Sequence, residues 1–384
     1  MNISTVPTAK YHAKTLSGLE QLVANELEEH GATDIVLGRR GVGFTATAEV
    51  MYRHCMHARF TLKVLRILYQ FQAKHTDELY RLAARKSWED IMNQDGSFTI
   101  DSTIYSDNFK HDQFATLRLK DAIVDRFRAK KGERPSIDRD NPDARLHLHI
   151  SRQDVTISLD ACGEPLSRRG YRSRKAIAPL NEVLAAGLLA LSGWKPGITL
   201  YDPMCGSGTF VAEALMKSYK IAPGILRNRF GFEKSKEHVP EIWDSLREKA
   251  KNNICQSSAI IYGYDISLSA VSMTKENIKM FDPSDKIKIE QSDYFNLSKP
   301  EEEGMLIMNP PYDQRLKNDH INELYNNIGS RLKHFWENYN AWILSGNLQA
   351  IKHIGLKPKR KKTLFNGPLA VSYTHLTLPT KRIV

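Results

Sequence analysis

Two short stretches hold the residues whose types and spacing could do chemistry. In the first, Asp202-Pro203-Met204-Cys205-Gly206-Ser207-Gly208-Thr209 joins the apolar run Ile198 to Tyr201 to a helix-like stretch, Phe210 to Met216. A buried strand, a turn of small residues and a helix N-terminus bring backbone N–H groups and a positive dipole end close to a ligand's carboxylate or phosphate. The stretch lacks the Lys of a phosphate-gripping loop and is not a full dinucleotide fingerprint. In the second, the apolar run Met305 to Met308 ends on Asn309-Pro310-Pro311-Tyr312. The Asn309 side-chain carbonyl and the Pro310 backbone carbonyl are two neighbouring acceptors, suited to holding both N–H groups of an exocyclic amine. The prolines fix that backbone, and Pro311 has no N–H to compete as a donor.

Such residues need strands and helices to place them. From Ile198 onward strand-like runs (198–201, 259–264, 287–290, 305–308, 341–344) alternate with helix-like runs (210–219, 269–280, 321–336). That order predicts a doubly wound, mainly parallel α/β sheet whose ligands sit beyond the strand carboxyl ends. Asp265 ends the second strand, where an acid can accept from ribose hydroxyls or cap the next helix. Asp293 follows the third strand. Leu180 to Leu191 reads as an apolar helix entering this domain after Pro179.

These motifs resemble those of the class I S-adenosylmethionine-dependent methyltransferases of the amino-methylating group, with motif I D-P-x-C-G-S-G-T and motif IV N-P-P-Y. The resemblance implies a Rossmann-like class I fold and S-adenosyl-L-methionine as cofactor. It implies cofactor contacts from Asp202, Pro203, Cys205, Gly206, Ser207, Gly208, Thr209, Asp265 and Asp293, the last against the adenine amino group. It also implies catalysis by Asn309, Pro310, Pro311 and Tyr312. The amine of guanine or adenine is a poor nucleophile because its lone pair is delocalised; two acceptors would align that pair with the sulfonium methyl, with no general base needed before transfer. Tyr312 would stack on the extruded base, a contact worth about 1–3 kcal/mol. Arg168-Arg169-Gly170-Tyr171-Arg172 and Ala178-Pro179-Leu180-Asn181-Glu182 resemble the family's motif X, beside the cofactor. The long spacing from motif I to Asp265 indicates an insertion around 225–234 that adds Arg227, Arg229 and Lys234 near the site.

The N-terminal half reads differently. Strand, helix, two strands, helix, strand over residues 10–71, with helices at 16–27 and 48–65, is the order of a ferredoxin-like α+β unit. Residues 75–160 form a second α+β unit, with a helix over 113–131 that ends in Arg126, Arg128, Lys130, Lys131 and Arg134. That cluster is either a solvated helix end or an RNA contact. The order helix, strand, basic helix, paired strands ahead of a methyltransferase resembles a THUMP RNA-binding domain. His147 and His149 alternate with Leu146, Leu148 and Ile150 and read as polar-face strand residues, not metal ligands. Arg168, Arg169, Arg172, Arg174 and Lys175 around Tyr171 make a basic hinge that could track a phosphate backbone.

The domains are thus expected at 1–70, 71–165 and 166–369, with 370–384 a non-native tail that leaves an edge hairpin of the sheet incomplete. The chain has 384 residues and a net charge of +11, which favours a polyanionic partner. No run approaches a membrane span and no secretory signal opens the chain, so a cytoplasmic protein is expected. Four scattered cysteines, with no C-x-x-C pair, support neither a metal site nor a disulfide framework. The resemblance, from about residue 10 to 369, is to the bacterial large-subunit rRNA guanine-N2 methyltransferases, implying N2-methylguanosine in 23S rRNA. A tRNA guanine-N2 methyltransferase, a DNA adenine-N6 methyltransferase and a non-catalytic RNA-binding assembly factor remain as alternatives. The basic run Lys357 to Lys362 is a solvated loop by composition, and resembles a segment of the family at this point.

Overall fold

The computed structural model describes residues 7–109, 111–172, 179–299, 301–311, 318–366, 369–376 and 378. Tyr312, Arg174 and Lys175 lie outside them. The chain divides into two units that exchange segments: residues 1–15, 23–168 and 227–247 form the first, and 16–22, 169–226 and 248–384 the second.

The first unit is built on β1 (Thr8–Lys14), α1 (Glu20–His30), β2 (Thr33–Gly38), β3 (Gly41–Thr47), α2 (Ala48–His57) and β4 (Lys63–Gln72). It continues with α3 (Thr76–Ala84), β5 (Ser97–Tyr105), α4 (Asp112–Lys131), β6 (Ser136–Ile137), β7 (Ala144–Ser151) and β8 (Asp154–Asp160). The two α+β patterns share one sheet, in the order β2-β3-β1-β4-β8-β7-β5-β6. The join is the antiparallel β4–β8 pairing, from Leu65 opposite Asp160 to Gln72 opposite Asp154. Helical periodicity overruns the end of α2 by several residues. Ala58 is extended and caps the helix through His54 O, and buried Thr61 then bonds the His54 ring, so the chain turns into β4. Helix α4 stops where Gly132 adopts a left-handed φ of 77° and donates to Arg128 O, which a residue with a Cβ would do only under strain.

The second unit holds α5 (Glu182–Ser192), β9 (Leu200–Asp202), α6 (Thr209–Ser218), the end of α7 (Pro240–Asn252), β10 (Ile261–Asp265), α8 (Leu268–Lys279) and β11 (Ile287–Gln291). It closes with β12 (Gly304–Met308), α9 (Asn318–His334), β13 (Tyr339–Ser345), β14 (Pro358–Asn366) and β15 (Leu369–Leu376). Its sheet order is β11-β10-β9-β12-β13-β15-β14. Strands β9 to β13 pair in parallel, while β15 inserts antiparallel between β13 and β14. Every residue of β12 is buried, as a strand covered on both faces requires. Gly304 is needed there because a Cβ would sit 2.9 Å from Thr199 O. The expectation of an incomplete edge hairpin is corrected: β15 places Val371, Tyr373 and Leu376 in the core.

The chain leaves β9, builds β10 and β11 on one side, then returns to build β12 on the other. The strand order therefore reverses between β9 and β12, and a crevice opens at their carboxyl ends.

Candidate active site

At that reversal a cleft of about 580 Å³ is lined by residues of the second unit only. Asp202, Pro203, Cys205, Gly206, Ser207 and Thr209 come from the β9–α6 turn, Asp265 from the end of β10, Asp293 from beyond β11, and Asn309 and Pro311 from beyond β12. Four separate strand ends are thus brought to one cavity. Gly208 and Pro310 belong to the same turns without lining it. The sequence does not single out Ile266, Tyr294, Phe295 and Leu324, which add apolar wall.

The turn is held open by hydrogen bonds to its neighbours. Cys205 N donates to Tyr264 O at 2.8 Å, and Gly206 N to Asp265 Oδ2 at 2.9 Å. From α8, the Thr274 hydroxyl donates to Gly206 O and the Asn277 amide to Ser207 O, both at 2.9 Å. Gly206 and Gly208 have φ of 56° and 76°. A Cβ on Gly208 would lie 2.5 Å from Thr274 Cγ2, whereas one on Gly206 would meet nothing within 4 Å. The first glycine therefore opens space in the cleft, and the second permits helix α6 to pack against α8.

Arg172 braces the turn from the other side. Its guanidinium donates to Glu182 Oε1, to Ser207 Oγ at 3.1 Å, to Leu180 O at 3.0 Å and to Thr209 Oγ1 at 2.9 Å. Asn181 caps α5 by accepting from the Val183 and Leu184 amides, which fixes Glu182 in the first turn. Arg169 forms a fully buried ion pair with Glu213 of α6. Of the basic hinge read from the sequence, Arg169 and Arg172 are corrected, since both point into the fold, while Arg168 is exposed and pairs with Glu164, and Arg174 and Lys175 lie outside the described residues.

Two acceptors in the cleft are buried without a partner among the described residues: Asp202 Oδ1 and Asn309 Oδ1. Burial pushes the Asp202 carboxyl well above the carboxylate range and the nearby Asp265 charge adds to this, against a backbone hydrogen bond from Met204. Burial likewise raises the Cys205 thiol, which disfavours its thiolate. Asp293 accepts from Phe295 N at 3.0 Å and turns the chain into the cleft wall. Unsatisfied buried acceptors are rare in folded proteins. Here the residues that carry them, Asp202 and Asn309, line the cleft.

Two of the insertion cations, Arg227 and Lys234, are held by other groups. Arg227 donates to the carbonyls of Cys162, Glu164, Pro165 and Arg168, and Lys234 to Asn141, Pro142 and Asp143, all within the first unit. Phe232 of the insertion stacks on Tyr52 with centroids 4.3 Å apart and meets Trp243 at 4.9 Å. In the first unit the basic end of α4 is partly neutralised, with Arg126 and Lys130 both on Glu89. His147 is buried, receives Lys14 Nζ at 2.7 Å and is pushed down to about 3 by burial and the neighbouring ammonium.

Comparison with known proteins gives concordant matches. Residues 169–375 match the family profile of the RMKL-like methyltransferase domain, 73–160 the THUMP domain, and 10–65 the RlmL ferredoxin-like domain. A "Ribosomal RNA large subunit methyltransferase K/L" of Syntrophotalea carbinolica is 36% identical over 385 residues, covering 97% of this chain and 54% of that protein. The chain thus spans about half the length of the curated relatives it matches. A methylase structure from Clostridium difficile 630 is 28% identical with a TM-score of 0.88, covering 98% of this chain and 100% of that one. SMU.472, a methyltransferase solved in complex with SAH, is 25% identical with a TM-score of 0.87, covering 98% and 99%.

Proposed function

The chain belongs to the RMKL-like methyltransferase family, and from that premise we propose that it transfers the methyl group of S-adenosylmethionine to the exocyclic N2 of a guanine in 23S rRNA. The observation that carries this reading is Asn309 Oδ1, buried with no partner among the described residues at the end of β12, on a residue that lines the same cleft as the β9–α6 turn.

The residues present fit the cofactor. Asp202 Oδ1 offers a buried acceptor to its amino group, Gly206 leaves room for its backbone, and Asp265 and Asp293 stand at strand ends where ribose hydroxyls and an adenine amine can donate to them. S-adenosylmethionine supplies an electrophilic methyl on a cationic sulfonium. The chain's own part is orientation: Asn309 Oδ1 and the Pro310 carbonyl accept the two N–H groups of the base amine, which turns the nitrogen lone pair toward the methyl. Pro310 and Pro311 stiffen that backbone, so little reorganisation is needed as charge develops. Tyr312, outside the described residues, is assigned the stacking contact with the flipped base. The RNA partner is supported by the THUMP match and the charge of +11. The residue boundaries 1–70, 71–165 and 166–369 and a cytoplasmic location are part of the same proposal. No described helix is long and apolar enough to cross a membrane.

The test incubates the full chain with tritiated S-adenosylmethionine and, separately, 23S rRNA lacking the modification, unmodified tRNA and unmethylated DNA, followed by nucleoside analysis. Label in N2-methylguanosine of 23S rRNA is expected. Label in tRNA, or in N6-methyladenine of DNA, overturns the substrate; SAH binding with no label anywhere overturns the activity in favour of an RNA-binding assembly role.

A further inference from the structure

The basic run near the end of the chain is a strand. Lys357 leads into β14, and Lys357, Lys359, Arg360, Lys361 and Lys362 are all exposed. They form no ion pair among the described residues, and residues 357–366 include no acid. Strand β14 is the terminal strand of its sheet, so one side of its backbone has no neighbouring strand. The register fixes the direction of this cationic edge. Arg360 lies across β15 from Trp342, Lys361 from Ile343 and Lys362 from Leu344, while Thr363 aligns with Ser345 at the carboxyl end of β13. The charges therefore run along the sheet edge toward the end where the cleft opens. At that end Phe365 is 37% exposed and shares a face with Lys361 and Thr363 by strand alternation.

A cationic strand is also a common guard against edge-to-edge pairing. One or two lysines suffice for that purpose, and an exposed aromatic at the tip works against it. We propose that β14 is a single-stranded RNA track, in which cations projecting from both faces of the open edge contact phosphates and Phe365 stacks on a base at the strand's carboxyl end. Successive side chains on a strand point to opposite faces, so Arg360 and Lys362 flank one side of the open edge and Lys361 the side that carries Phe365. Stacking on an aromatic is tolerant of sequence, which suits a track that orients the chain without selecting the target base. This inference rests on the proposed RNA substrate.

The test measures binding of the full chain to a fluorescein-labelled single-stranded RNA 20-mer of mixed sequence, from 50 to 300 mM KCl. Three variants run beside the parent: Lys359→Gln/Arg360→Gln/Lys361→Gln/Lys362→Gln, the charge-keeping Lys359→Arg/Lys361→Arg/Lys362→Arg, and Phe365→Ser. Each phosphate contact contributes about 0.7 to the slope of log affinity against log salt for single strands. The glutamine variant should therefore lose a slope of about 3 and roughly two orders of magnitude in affinity at 100 mM, while the arginine variant keeps both. Phe365→Ser should weaken binding several-fold with the slope unchanged. SAH affinity should be equal in all four proteins, since β14 does not line the cleft. A glutamine variant with the parent's slope overturns the track, as does one whose only change is self-association, leaving edge protection as the role of the charges. Absence of salt-dependent RNA binding by the parent overturns the RNA substrate itself.

Discussion

Gly206 N donates to Asp265 Oδ2 at 2.9 Å, and the other oxygen of the same carboxylate accepts from Ser267 N at 2.9 Å. One side chain thus holds the motif I turn and the turn that leads to Ser267, the N-cap of α8, so the ends of β9 and β10 are tied at the lip of the cleft. Removing the carboxylate leaves two backbone donors to be satisfied by other means, at about 1–3 kcal/mol where they are screened from water. Asp265→Ala should weaken SAH binding at least tenfold by calorimetry and lower the thermal midpoint. Asp265→Asn, which keeps one acceptor oxygen, should fall between the two. Equal affinity in all three proteins would remove Asp265 from the cofactor site.

Asn309 has a different signature. Its Oδ1 is buried with no partner among the described residues, so its substitution costs no hydrogen bond described for that atom. Asn309→Ala should leave SAH affinity and melting temperature within error of the parent. Methyl transfer should fall at least 100-fold, about 2.7 kcal/mol of transition-state stabilisation. A loss of stability as large as the loss of rate would mean that Asn309 is a structural turn residue.

Arg172 predicts a split between the two kinetic parameters. Its guanidinium reaches Ser207 and Thr209 in the motif I turn as well as Glu182, a set of bonds that needs the planar fork. Arg172→Lys keeps the charge but cannot span these partners. KM for S-adenosylmethionine should rise about tenfold with kcat changed less than threefold, which single-turnover assays can separate from a folding defect. A matched fall in kcat and stability with KM unchanged would reduce Arg172 to a core ion pair.

The two chemical stretches were legible because each follows a continuous apolar run. A strand buried on both faces announces itself by composition, and what stands at its carboxyl end then has a place in space. That the sheet's strands run mainly parallel followed from the alternation of strands and helices. The roles of Arg169, Arg172 and Arg227 did not, since charge composition cannot distinguish a cation facing solvent from one aimed at Glu213, Glu182 or a ring of carbonyls. Thr274 and Asn277 escaped notice for a related reason: polar residues on a helix normally face water, and only packing shows these two turned onto the Gly206 and Ser207 carbonyls. The β4–β8 join was equally hidden, because strand patterns give faces but not neighbours.

In the first unit His30, His54 and His57 gather between α1 and α2. His30 Nδ1 and His54 Nδ1 lie 3.0 Å apart, and the His30 and His57 ring centres are 6.0 Å apart. Burial, with the neighbouring imidazoles and Arg53, holds His30 down to about 4; His54, fully buried, is also pushed well below its ordinary value, and His57 is lowered, burial again leading. The unfolded chain therefore binds more protons than the folded one between pH 6.5 and about 4, and stability rises with pH across that window. Acidification should destabilise the first unit progressively below pH 6.5, with the loss attributable to His30 complete near pH 4. Denaturant unfolding from pH 7.5 to 4.5, followed by a probe in the first unit, should show this slope. Because His54 also bonds Thr61, His54→Gln is expected to lower stability at pH 7.5 and to flatten the dependence. An unchanged slope in His54→Gln and His30→Gln would assign the acid sensitivity to carboxylates instead.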